Sequence, residues 1–130
     1  MVYRRVRVLV VDDDPMVRRA LQRWLDASGF DVLEAGAVEA ARALVATEVV
    51  DVALVDIRLG GEDGARLARD LRSRGLTTIS MSGVTPHPLP PLPFLRKPID
   101  GDALVLLIEE LTTHDALQPK EAPRPDPPRS

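Results

Sequence analysis

The sequence predicts an α/β domain, a parallel sheet with helices on both of its faces. Short aliphatic runs alternate along the chain with segments whose apolar residues recur every three or four positions, so strands and helices take turns. Two of the runs, VLVV and VALV, are apolar throughout, as strands buried on both faces are. Strands separated by a helix-length stretch pair in parallel through right-handed crossovers.

The elements follow in order. Val6, Val8, Leu9, Val10 and Val11 form a first strand that ends at aspartate. Asp14 suits a helix N-cap and Pro15 the first helical position, after which Val17, Ala20, Leu21, Trp24 and Leu25 keep helical spacing until Gly29. Phe30 to Glu34 reads as a second strand, and Val38, Ala41, Leu44 and Val45 as one face of a second helix. Val52 to Val55 is a third buried strand, ending at Asp56. The loop GGEDG follows, with Asp63 and Gly64 as a turn and helix start, then a helix over Ala65, Ala68 and Leu71 that stops at Gly75. Thr77 to Ser82 gives a fourth strand, Phe94 to Arg96 a fifth, and Leu104, Leu107, Ile108 and Leu111 a last helix.

Composition narrows the function. The 130 residues suit one domain, and an apolar fraction of 45% is enough for a core. A net charge of −3 without a basic stripe beyond Arg4, Arg5 and Arg7 argues against nucleic acid. The absence of cysteine excludes disulfides and thiolate metal sites. No apolar run approaches the length of a membrane span, and the residues after Arg4 and Arg5 do not form a signal peptide. The expectation is a cytoplasmic domain without membrane or nucleic-acid partners. Of the 12 prolines, six fall between Pro86 and Pro98 and five between Pro119 and Pro128. The folded domain is expected over residues 1–117, and 118–130 as a disordered proline-rich tail.

In open parallel sheets, ligands bind beyond the carboxyl ends of the strands. Strand one ends in Asp12, Asp13 and Asp14, strand three in Asp56, strand four in Ser82, and strand five in Lys97 before Pro98. Any one of these has a plain structural reading as a turn former or cap, and Asp14 is read that way. Together they bring carboxylates, a hydroxyl and a lysine to one small site. Clustered carboxylates repel one another unless a cation is present, and an all-oxygen set suits Mg²⁺. With a lysine and a hydroxyl to engage phosphate oxygens, the set reads as a phosphoryl-transfer site with a carboxylate nucleophile.

The blocks VLVVDDDP, ALVDIRLGGEDG, ISMSG and FLRKP resemble the signature of the response-regulator receiver domain, and the resemblance covers about Arg5 to Leu117. It implies a doubly wound, flavodoxin-like sheet of five parallel strands in the order 2-1-3-4-5. It further implies that Asp56 accepts the phosphoryl group and that Asp12 and Asp13, with Asp56 and the backbone carbonyl of Arg58, hold Mg²⁺. Ser82 then matches the hydroxyl that follows the phosphoryl group, and Lys97 the lysine that pairs with it. Phe94 matches the aromatic switch position, with core packing as the alternative.

Three departures from that pattern stand out. Gly60 replaces a common proline, which is expected to loosen the loop after Asp56. Gly83 replaces a common alanine, leaving more room for water. Only 14 residues separate Ser82 from Lys97, and five of the eight from Pro86 to Pro93 are proline, so no fourth helix is expected there. An extended, partly polyproline segment should cross the sheet instead, with His87 in solvent. Whether that changes output or is a plain loop deletion stays open.

The resemblance implies a signalling module that takes its phosphoryl group from a histidine kinase or a histidine phosphotransfer protein. It would act on a downstream target that the sequence does not name, without turning over an external substrate; no output domain is expected after it, because residues 118–130 are too short and too polar to fold. An unphosphorylated docking scaffold is the alternative. A haloacid-dehalogenase-like phosphatase, with Asp12 as nucleophile and Asp14 as acid, is a further one, though no later strand end supplies its second acidic pair.

Overall fold

The computed structural model describes residues 4–88 and 91–117. Five strands, β1 (Arg7–Val11), β2 (Asp31–Ala35), β3 (Val52–Asp56), β6 (Thr77–Ser82) and β7 (Phe94–Arg96), form one sheet. They lie in the order β2-β1-β3-β6-β7, every pair parallel. Counted within this sheet, that is the expected 2-1-3-4-5. A two-stranded antiparallel hairpin, β4 (Arg58–Leu59) and β5 (Glu62–Asp63), stands apart from it. The helices are α1 (Pro15–Ala27), α2 (Val38–Thr47), α3 (Gly64–Ser73) and α4 (Gly101–Leu117).

Each face of the sheet carries its own core. On one, Val8, Val10, Leu54, Ile79 and Met81 pack with Leu21 and Leu25 of α1 and Leu104 and Ile108 of α4. On the other, Leu9, Val11, Ala53 and Val55 meet Ala41 of α2 and Leu67, Ala68 and Leu71 of α3. A buried leucine contributes about 1.5–3 kcal/mol, so this two-sided burial supplies most of the drive to fold.

The helix ends show how the sequence sets the boundaries. Asp14 caps α1 by accepting from the Met16 N–H, and Asp63 caps α3 from the Arg66 N–H. Gly29, at φ +97°, ends α1, with its N–H on the Asp26 carbonyl and the Phe30 N–H on the Leu25 carbonyl. Gly75 ends α3 with the same pair of bonds to Arg72 and, through Leu76, to Leu71. Phe30 therefore belongs to the helix stop, and β2 runs from Asp31 to Ala35 rather than from Phe30 to Glu34.

Between β6 and β7 no helix occurs among the described residues. Gly83 to Thr85 are exposed, as is His87. Nearer β7 the chain returns to the sheet: Leu92 is buried with the α2–α3 core, and the Pro93 carbonyl accepts from both the N–H and the Oγ of Ser80. The tail expected over 118–130 lies outside the described residues.

Gly60 has a specific place in the loop after Asp56. Its φ is +59°, while Gly61 keeps a negative φ, and Leu59 pairs with Glu62 across the two glycines. A positive φ at the first central residue alone is the pattern of a type II′ hairpin turn, which glycine enters freely and proline cannot. The loop after Asp56 folds into a hairpin.

Candidate functional site at the carboxyl end of the sheet

The expected residues converge where β1, β3, β6 and β7 end. Asp12 is fully buried and Asp56 is 5% exposed, while Asp13 faces solvent. One carboxylate oxygen from each lies within 4.8 Å of the others, a set that can hold a metal ion. Lys97 Nζ bridges the two buried acids, at 2.5 Å from Asp12 Oδ2 and 2.6 Å from Asp56 Oδ2. Burial by itself would lower the Lys97 pKa. The hydrogen bonds and negative charges of Asp12 and Asp56 outweigh it and raise the lysine above its ordinary value.

Backbone groups fix the other oxygens. Asp12 Oδ1 accepts from the Asp14 N–H at 2.9 Å, and Asp56 Oδ1 from the Arg58 N–H at 2.8 Å. Arg58 opens the hairpin immediately beyond the site. Gly64, at the start of α3, lies so close to β3 that a Cβ there would fall 1.9 Å from the Asp56 carbonyl oxygen. Only glycine lets α3 approach the end of β3 this closely.

Ser82 is buried, and its Oγ accepts from the Val84 N–H at 3.2 Å. The Ser82 carbonyl accepts from the Lys97 N–H, which ties the ends of β6 and β7 together. Phe94 begins β7, half-buried, and is in neither apolar cluster of the described residues. Asp14 is the cap expected of it, with its carboxylate turned to α1.

Two residues at this end carry no signal in the sequence. Arg18 of α1 donates to the Asp12 carbonyl oxygen at 2.7 Å and pairs with Glu34 of β2. Glu62 of the hairpin accepts from the Val38 N–H, supplying α2 with the cap that Ala37 cannot. Beside the site, Val17, Ala20, Leu21, Lys97, Pro98 and Ile99 line a hollow of about 520 Å³, and Met16 stands 73% exposed at its helix.

The profile of the response regulator receiver domain matches residues 8–88. The chain belongs to the response-regulator receiver family. Receivers are the signalling domains of two-component systems. The match to the profile stops inside the proline segment, where this receiver departs from the common pattern. The transcriptional regulatory protein AruR of Pseudomonas aeruginosa is 51% identical over 73 residues, which cover 52% of this chain and 30% of AruR. Response regulator MprA of Mycolicibacterium vanbaalenii is 40% identical over 70 residues, 54% of this chain and 30% of its own length. The matched receiver region thus spans less than a third of these longer relatives.

Solved structures agree over more of the chain. A response regulator receiver protein from Pseudomonas putida is 30% identical, with a TM-score of 0.74 over 84% of this chain and 99% of that one. A CheY-like receiver domain protein from Methanospirillum hungatei JF-1, at 23% identity, shows the same fold with a TM-score of 0.78 over 87% of this chain and 98% of its own. No helix among the described residues of this receiver is long and apolar enough to cross a membrane.

Proposed function

We propose that this receiver takes a phosphoryl group from a phosphohistidine donor onto Asp56, with Mg²⁺ held by Asp12, Asp13, Asp56 and the Arg58 backbone carbonyl. The observation that carries this reading is the Lys97 ammonium bridging Asp12 and Asp56 beside the exposed Asp13. Two buried carboxylates on one lysine leave the cluster with excess negative charge, which a hard divalent cation suits. When bound, Mg²⁺ supplies the second positive charge needed to gather phosphate oxygens.

The chain's own groups do the rest. Hydrogen bonds to both oxygens of Asp56 fix the plane of its carboxylate. An Asp56 oxygen attacks phosphorus as the phosphorus–nitrogen bond to the donor imidazole breaks; the bond pair stays on that nitrogen, and the imidazole leaves neutral because its other ring nitrogen carries the proton. Lys97 neutralises charge on the transferred group, and Ser82 exchanges its contact with Val84 for a hydrogen bond to a phosphoryl oxygen. Phe94, partly exposed at the start of β7, follows Ser82 as the switch. The donor, a histidine kinase or histidine phosphotransfer protein, docks over the exposed Met16 and the apolar hollow that Lys97 helps to line. The domain works in the cytoplasm as a phosphorylated switch rather than as an enzyme on an external substrate. It passes its state to a further protein.

Labelling with acetyl phosphate and Mg²⁺ tests the assignment. Modification is expected at Asp56 alone, and Asp56→Asn abolishes it. Labelling that survives Asp56→Asn but not Asp12→Asn means a phosphatase-like nucleophile instead. No labelling under any condition means an unphosphorylated scaffold.

A further inference from the structure

Asp13 is the member of the acidic cluster with least support of its own. It is exposed, and no hydrogen bond to its carboxylate occurs among the described contacts. Its placement therefore comes through the backbone, from the residue before it. Asp12 is pinned at both of its peptide bonds. Its N–H donates to the Ala35 carbonyl at 3.1 Å, and its carbonyl accepts from Arg18 Nη1 at 2.7 Å. The second of these groups shares a peptide plane with the Asp13 nitrogen.

Arg18 reaches that carbonyl because two other residues allow it. Glu34 pairs with Arg18 Nε at 3.5 Å, so the guanidinium carries a counter-charge while Nη1 donates to the carbonyl. Gly36 leaves the space the guanidinium fills: a Cβ at that position would lie 3.0 Å from Arg18 Nη1. The guanidinium thus links α1, the end of β2 and the first acidic loop.

We infer that Arg18 is a positioning residue for metal binding, orienting the Asp12–Asp13 peptide so that Asp13 completes the cation site. The inference rests on the Mg²⁺ reading above and goes beyond it to a residue outside the ligand set. Groups that hold metal ligands in place commonly contribute ten- to hundredfold to affinity. A guanidinium acting only as a nearby positive charge has the opposite effect, because it repels the cation. The sign of the change therefore separates the two roles.

Direct calorimetric titration of Mg²⁺ into the phosphate-free protein reads it. Arg18→Met, which removes donor and charge together, is expected to raise the Mg²⁺ dissociation constant about tenfold. Arg18→Lys, which keeps a donor within reach of the carbonyl, should fall nearer the unsubstituted protein. Gly36→Ala keeps Arg18 and its charge while pushing the guanidinium aside by a few tenths of an ångström, and should weaken binding by a smaller factor. It also carries the test if Arg18→Met does not fold. An unchanged or tighter Mg²⁺ affinity in Arg18→Met, or an unchanged one in Gly36→Ala, overturns the assignment. An unsubstituted protein that binds no Mg²⁺ overturns the metal reading first, and this one with it.

Discussion

Replacing Asp13 with asparagine should make the metal-free protein more stable, the reverse of what most substitutions do. The three carboxylate oxygens lie within 4.8 Å of one another, and Lys97 sits on Asp12 and Asp56. At that spacing two unit charges repel by about 0.9 kcal/mol in water and about 3.5 kcal/mol at the effective dielectric of a protein surface. Asp13 feels two such repulsions and one attraction to Lys97, a net of about one pair. Its exposure puts the value at the low end, about 1 kcal/mol. One effect opposes this, since a negative charge near the start of α1 favours the helix by about 0.3–1 kcal/mol. Asp14 is closer to that terminus and keeps its charge, so most of the helix contribution survives the substitution.

The balance is a gain of about 0.5–1 kcal/mol, or about 2–4 °C in melting temperature for a domain of this size. In Mg²⁺ at ten times its dissociation constant the order inverts. The unsubstituted protein gains about 1.4 kcal/mol, about 6 °C, and Asp13→Asn gains much less. Thermal unfolding in chelator and in Mg²⁺, at about 0.1 M salt where the Debye length of about 10 Å exceeds the spacing, gives both readings. A variant no more stable than the parent in chelator would refute the repulsion, and equal Mg²⁺ gains would remove Asp13 from the ligand set.

Leu92→Ala should cost about 2 kcal/mol in urea unfolding, the low end for a buried leucine because the segment over it can settle. Acetyl phosphate labelling of Asp56 should persist in that variant, and its loss would show that the proline segment shapes the site. The Arg42–Asp70 pair between α2 and α3 gives a pH signature. The hydrogen bond from Arg42 lowers the Asp70 pKa, so the stabilisation is complete above about pH 4 and fades as pH falls through the lower folded-state value. The stability difference between the parent and Asp70→Asn should therefore shrink towards zero in acid, and a difference that grows on acidification would contradict the pairing.

The acidic cluster and Lys97 are legible in the sequence because the topology places them. Once strands alternate with helices, strand ends share one edge, and polar residues at those ends meet without further assumption. The Asp14 and Asp63 caps and the glycine stops are local chemistry and equally readable. What stays hidden depends on geometry that no single segment encodes. Arg18 is one of several arginines on α1, and only the space beside Gly36 marks it out. Gly60 reads as a weakened loop until its φ shows a hairpin turn.

The segment between β6 and β7, with no helix among its described residues, follows a strand whose pattern differs from that of β1 and β3. β1 and β3 carry uninterrupted apolar runs because both of their faces are covered. β6 does not: in TTISMS, Ile79 and Met81 alternate with Thr78, Ser80 and Ser82. The apolar pair faces the α1–α4 core, whereas the three hydroxyl residues fall by alternation on the other face. All three are nevertheless buried, so their hydroxyls need partners. Thr78 donates to the Leu76 carbonyl, Ser80 to the Pro93 carbonyl, and Ser82 accepts from Val84. Proline cannot donate, but its carbonyl still accepts, so a proline-rich segment suits a strand that offers hydroxyl groups. Leu92 adds the one buried apolar side chain of the described segment to that face. Ser80 and Leu92 thus tie the proline segment to the sheet, one through its hydrogen bond to the Pro93 carbonyl and the other by burial against the α2–α3 core.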